Sequence, residues 1–103
     1  MAEIIWTDMA IADLNAIAEY ISRDSEYYAK DFVKRIVKEI EIIKNFPKSG
    51  RIVPELENEN IREIIYHNYR IVYKIVDFKI YIAIVSHGSF DLREKLDGIR
   101  NNI

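Results

Sequence analysis

In the first half of the chain apolar positions recur at intervals of three and four, and in the second half they alternate or run on, so helices precede strands. Residues 2–6 are the exception: they are short and rich in Ile and Trp and read as a strand, after which Thr7 or Asp8 offers a capping oxygen. From residue 9 to about 22, Ala10, Leu14, Ile17, Ala18 and Ile21 form one stripe, with Asp13, Asn15 and Glu19 mostly off it. A polar break at 23–25 leads to a longer stripe of Ala29, Phe32, Val33, Ile36, Val37, Ile40 and Ile43, interleaved with Lys30, Lys34, Arg35, Lys38 and Glu41. Pro47 and Gly50 stop this second helix near Asn45. Helices joined by so short a link pack antiparallel, and their stripes need a sheet to bury against.

Residues 52–60 include Glu55, Glu57 and Glu59 and read as a hydrated acidic loop with no assigned chemistry. Three strands are expected next, Ile61–Tyr66, Tyr69–Val76 and residues 79–86, joined by the two-residue links His67-Asn68 and Asp77-Phe78. Such links demand antiparallel hairpins; Asn68 suits a positive φ, whereas Phe78 is a poor tight-turn residue. Alternation puts Tyr69, Ile71, Tyr73 and Ile75, with Ile80, Ile82 and Ile84, on the helix face. The other parity collects Arg62, Ile64 and Tyr66, then Arg70, Val72 and Lys74, then Tyr81, Ala83, Val85 and His87. Asp91-Leu92-Arg93-Glu94 resembles a capping box opening a short helix whose Leu92, Leu96 and Ile99 can cover part of that second face. The expected fold is therefore α+β: an N-terminal strand and a two-helix hairpin on an antiparallel sheet of about four strands, with a short C-terminal helix.

Length and composition narrow the possibilities. With 103 residues, half of them hydrophobic, the chain suits one domain spanning 1–103. Fifteen basic against seventeen acidic residues leave a net charge of −2, so no bulk positive field draws the protein to nucleic acid or an anionic membrane. The absence of Cys rules out disulfides and thiolate chemistry and fits a reducing compartment, the cytoplasm. Neither a signal peptide nor a membrane span is visible, and no membrane partner is expected.

The second face carries the candidate chemistry. Arg62, Arg70 and Lys74 could hold phosphates, Tyr66 and Tyr81 could stack on bases, and His87 could transfer a proton. The competing reading makes Val72, Ala83 and Val85 an apolar seat for a helix of this or another chain, with the charges as its rim. Two isolated histidines make no metal site, and no phosphate loop or nucleophile motif is present, so no metal or cofactor is expected.

The helical hairpin, Phe46-Pro47-x-x-Gly50-Arg51, Ile61-Arg62-Glu63, Tyr69-Arg70-Ile71-Val72-Tyr73 and Ile84-Val85-Ser86-His87 together resemble the RelE/ParE toxins of type II toxin–antitoxin pairs. The resemblance spans nearly the whole chain and implies a cognate antitoxin, whose C-terminal segment wraps the toxin as a hetero-oligomer. It also implies one of two targets: ribosome-bound mRNA, cut by RelE-like members, or DNA gyrase, which ParE-like members inhibit without an established hydrolytic site. As a nuclease, the chain would use Arg62, Arg70 and His87; as a binder, its antitoxin or target surface would comprise Arg51, Arg62, Tyr66, Arg70, Lys74, Tyr81 and His87. Phe90 falls where RelE-like members carry an arginine, and the tail lacks their tyrosine. These departures, the mildly acidic charge and the Phe-Pro-x-x-Gly-Arg turn favour a ParE-like growth-arresting binder over an endoribonuclease. A domain that has lost toxicity and serves as a binding or regulatory subunit is the third reading.

Overall fold

The computed structural model describes residues 2–88 and 92–102. The order is β1 (Glu3–Trp6), α1 (Asp8–Ser22), α2 (Glu26–Asn45), a 3-10 turn (Pro47–Ser49), β2 (Arg51–Ile52), β3 (Ile61–Tyr66), β4 (Tyr69–Val76), β5 (Lys79–His87) and α3 (Arg93–Asn102). Thr7 caps α1 by accepting from the Ala10 N–H, and Ser25 caps α2 by accepting from Tyr28. The expected α+β architecture is present, with five strands in the order β1-β5-β4-β3-β2. β1 runs parallel to β5, while every other pairing is antiparallel. Among the described residues no helix is long and apolar enough to cross a membrane.

Both faces of the sheet are covered. On one, Ala10 of α1 and Phe32, Ile36, Ile40 and Ile43 of α2 pack on Ile71, Tyr73, Ile80 and Ile82. On the other, Leu92, Leu96 and Ile99 close over Val53, Ile61, Val72, Ala83 and Ile84. The C-terminal stripe thus covers part of the second face, as its spacing allows. The proposed cap at Asp91 lies outside the described residues.

Two features of the sheet correct the expected faces. Tyr66 and Tyr69 flank the first hairpin link and pair directly, so they share a face. Arg62, Ile64 and Tyr66 therefore lie on the helix side, opposite Tyr73, Ile71 and Tyr69, while Ile61, Glu63 and Ile65 take the second face. In β5 the register passes from Tyr73↔Ile82 to Val72↔Ile84, leaving Ala83 as the extra residue of a β-bulge. Past the bulge the parity reverses: Ile84 and Ser86 join the second face, whereas Val85 and His87 pair with Ile71 and Tyr69 of the helix face. Asp13 of α1 accepts a 3.0 Å hydrogen bond from the Val85 N–H, and the Thr7 hydroxyl donates to the Ile82 carbonyl at 2.9 Å, so both helix start and helix face support the irregular strand. In the hairpin links the positive φ falls on the first residue, His67 at 52° and Asp77 at 54°, which spares Asn68 and Phe78 that conformation.

The Phe-Pro-x-x-Gly-Arg turn is seated on β4. The Tyr73 hydroxyl donates to the Pro47 carbonyl at 2.6 Å and accepts from the Gly50 N–H at 3.0 Å. A Cβ on Gly50 would stand 2.5 Å from that hydroxyl oxygen and 2.8 Å from the Glu63 carbonyl oxygen. Gly50 is extended, so space rather than backbone freedom selects glycine. Gly50→Ala is expected to lower unfolding free energy by about 1–3 kcal/mol in urea titrations, the cost of overpacking a tight site. An unchanged midpoint would show that the turn can lift off Tyr73 freely.

Candidate functional site

The strand arginine of the Tyr-Arg-Ile-Val-Tyr segment lies at the centre of a chain of charges running across β2, β3 and β4. Arg51 Nε donates to Glu63 Oε2 at 2.7 Å, and Arg70 Nε donates to Glu63 Oε1 at 2.5 Å. The Arg70 Nη1 and Nη2 groups then grip both oxygens of Glu55, each at 2.8 Å. Register explains the first half: Arg51 pairs with Glu63, and Glu63 stands one step along β3 from Ile65, the partner of Arg70 on the same face. The loop carrying Glu55 supplies the second half. Its neighbours Val53 and Leu56 belong to the apolar cluster under α3, which brings the loop down over the sheet.

Arg70 is 8% exposed and Glu63 1%, so this is an interior network rather than a displayed basic patch. Its donors and acceptors are matched, as a buried charge requires. The two-point bond from Glu55 holds the Arg70 guanidinium above its ordinary range, burial opposes this, and Glu63 reinforces it. Conversely, the hydrogen bond from Arg70 holds the Glu55 carboxyl below the usual carboxylate value, against a smaller opposing effect of burial. Burial raises the Tyr73 phenol above its ordinary range, so it stays protonated and able to donate to Pro47.

The other candidate residues do not assemble around Arg70 as one face. Arg62 spends its guanidinium on backbone carbonyls, those of Glu59 at 2.9 Å, Lys48 at 3.2 Å and Gly50 at 2.9 Å, and so ties two loops together. Tyr66 packs its ring 6.0 Å from Phe32 of α2. Lys74 and Tyr81 are paired across β4 and β5 on the second face, where Lys74 Nζ lies 3.4 Å from the Ile99 carbonyl of α3. His87 stacks edge-on against Tyr69, with ring centroids 5.6 Å apart. Phe90, where the comparison with RelE-like nucleases expects arginine, is outside the described residues.

Two of the concavities that border this region bear on the site. An open bowl of about 420 Å³ is lined by Arg51, Glu55, Ile65, His67, Arg70 and His87, among others. A groove of about 620 Å³ between α1, the end of β5 and α3 has Ile17, Val85 and Leu92 among its walls and Asp13, Tyr20 and Lys95 as polar groups. The bowl offers two arginines, one carboxylate, that of Glu55, and two imidazoles; it can recognise an anion only by competing with the carboxylate already present. Among the described residues no three His, Cys, Asp or Glu stand close enough to hold a metal ion.

Glu63 and Glu55, which complete the Arg70 network, are the residues that pattern reading missed. The two-residue link at His67-Asn68 carried the signal for Glu63, because direct pairing of Tyr66 with Tyr69 places residue 63 on the face of Arg70. No local pattern marks Glu55 among its acidic neighbours. The loop read as hydrated and without chemistry is instead the source of the main counter-ion of Arg70.

Residues 4–92 match the family described as ParE toxin of type II toxin-antitoxin system, parDE. Toxin RelE2 of Caulobacter vibrioides (strain ATCC 19089 / CIP 103742 / CB 15) is 30% identical over 90 residues, covering 86% of this chain and 98% of that protein. A solved structure of the chromosomal ParDE TA system from P. aeruginosa has the same fold, with a TM-score of 0.70 at 22% identity, covering 84% of this chain and 96% of that one.

Proposed function

This chain belongs to the ParE toxin family of type II toxin–antitoxin systems, and from that membership we propose that it arrests growth by binding DNA gyrase rather than by cutting message. As a family member it has a cognate antitoxin as partner. The observation that carries the reading is the state of Arg70. A nuclease would need this guanidinium free to stabilise a phosphate as charge develops in the transition state, yet both of its hydrogen-bonding edges are taken by carboxylates. The separation of roles among the remaining candidates adds support, since Arg62 braces loops and His87 sits with Tyr69 on the helix face. A net charge of −2 is also poorly suited to tracking RNA phosphates. On this reading Arg51, whose side chain is 58% exposed, and the rim around His67 and His87 form the contact surface.

The alternative is an mRNA endoribonuclease, favoured by one observation: Arg70, His67 and His87 line a single open bowl. Purified toxin is expected to inhibit gyrase supercoiling and to leave ribosome-bound message intact in a translation extract. Arg51→Ala should raise the half-inhibitory concentration about 5- to 30-fold, in keeping with loss of a contact arginine. Cleavage of ribosome-bound message with supercoiling untouched sinks the gyrase reading. Undisturbed growth on expression without antitoxin, at good yield of folded protein, counts against any toxin and supports a regulatory subunit.

A further inference from the structure

In the charge chain Arg51, Glu63, Arg70 and Glu55, three groups stand on strands and one on a loop. Arg51, Glu63 and Arg70 belong to β2, β3 and β4, so the ladder registers set their spacing. Glu55 lies between Val53 and Leu56, both held in the apolar cluster under α3. The Leu56 and Glu57 N–H groups donate to the Val53 carbonyl and close the turn, and besides Arg70 the Glu55 carboxylate engages the N–H of its own residue. The side chain can therefore swing away from Arg70 about its own bonds while the loop stays anchored.

Glu63 already receives the Nε donors of both Arg51 and Arg70, one on each oxygen. What Glu55 adds is a two-point bond on the Nη edge of Arg70, the same geometry in which a guanidinium takes a carboxylate from another molecule. Arg70 and Glu55 both line the open bowl, with Arg51, His67, Asn68 and His87 around them. Their side chains are 10% and 19% exposed, so the seat is reachable yet partly desolvated, where a charged hydrogen bond counts for more than on the open surface.

We propose that Glu55 is an internal stand-in for an external carboxylate: it occupies the Nη edge of Arg70 in the isolated toxin and yields it to an acidic side chain of a docking protein. The inference rests on the reading that this toxin works through protein partners. With Glu55 turned out, Arg51 and Arg70 face Glu63 alone, an imbalance suited to one acidic side chain, while the net charge of −2 disfavours a polyanionic strand. Exchanging one carboxylate for another keeps Arg70 paired throughout. A partner with no acidic group at that point would have to leave Glu55 in place, so the exchange confers specificity.

The test uses the full chain, sodium acetate as probe and the NMR signal of the Arg70 Nε–Hε group at constant ionic strength. In Glu55→Ala acetate is expected to shift that signal saturably, with an apparent affinity at least about tenfold tighter than in the wild type, where Glu55 competes. Glu55→Gln, which keeps the side-chain shape, should respond in the same direction and covers any disturbance of the loop by alanine. Equal responses in the wild type and both variants, or no response in any, overturn the proposal. So does dimethyl phosphate acting at lower concentration than acetate, an outcome that would assign the seat to a nucleic-acid phosphate. The titration contains neither gyrase nor ribosomes, so acetate capture with failed gyrase inhibition removes the gyrase target and leaves the exchangeable seat standing.

Discussion

Glu63→Ala is expected to lower the unfolding free energy by about 3–5 kcal/mol, the cost of leaving a buried charge without its partner. The Glu63 side chain is fully buried and accepts from Arg51 on one oxygen and Arg70 on the other. Its loss strands the Arg70 Nε inside the sheet, while Arg51 can still turn its exposed side chain to water. Against a stability of about 5–15 kcal/mol for a domain of this kind, that is a large fraction, visible as a clear drop in Tm. Coupling supplies the sharper measurement: Glu63→Leu combined with Arg70→Met should recover much of the loss, because an apolar pair replaces a charged one. Simple additivity of the two single losses would mean that the residues act independently, contrary to the 2.5 Å contact.

Leu96→Ala is expected to cost about 2–5 kcal/mol and to loosen α3 from the sheet. Leu96 is fully buried among Val72, Ala83, Ile84, Leu92 and Ile99, and α3 has no comparable partner on its other side among the described residues. Truncation removes three of the four side-chain carbons, leaving a single methyl, and uncovers the apolar strip of β4 and β5. Increased binding of a hydrophobic dye and faster hydrogen exchange of the α3 amides should accompany the lower stability. A change under about 1 kcal/mol with no dye binding would show that the helix contributes little to the second core.

Much of the architecture was legible because helices and strands bury their stripes at different periods. The Ala10 to Ile21 and Ala29 to Ile43 patterns lead to α1 and α2, and the Ile- and Tyr-rich runs lead to β3, β4 and β5. Stripe width was less legible: Val37 on α2 is 46% exposed, although it continues the apolar spacing. The covered second face followed from Leu92, Leu96 and Ile99, whose spacing is helical even in a charged tail.

The candidate site divides differently. Arg70 and its strand could be picked out by residue type and neighbours, but whether its charge was displayed or neutralised could not. That depends on Glu55, which is fifteen positions away and reaches Arg70 only because Val53 and Leu56 pin its loop to the second core. The position of His87 depends on one inserted residue at Ala83, since a bulge reverses every later side chain in the strand. The sequence by itself therefore determined the helices, four of the five strands, their order and the family, all properties of local periodicity and short motifs, while the two-residue β2 escaped it. Only the tertiary structure decided which charges meet, because registers and loop anchoring are set by long-range packing; it turned an apparent basic face into an interior Arg–Glu network.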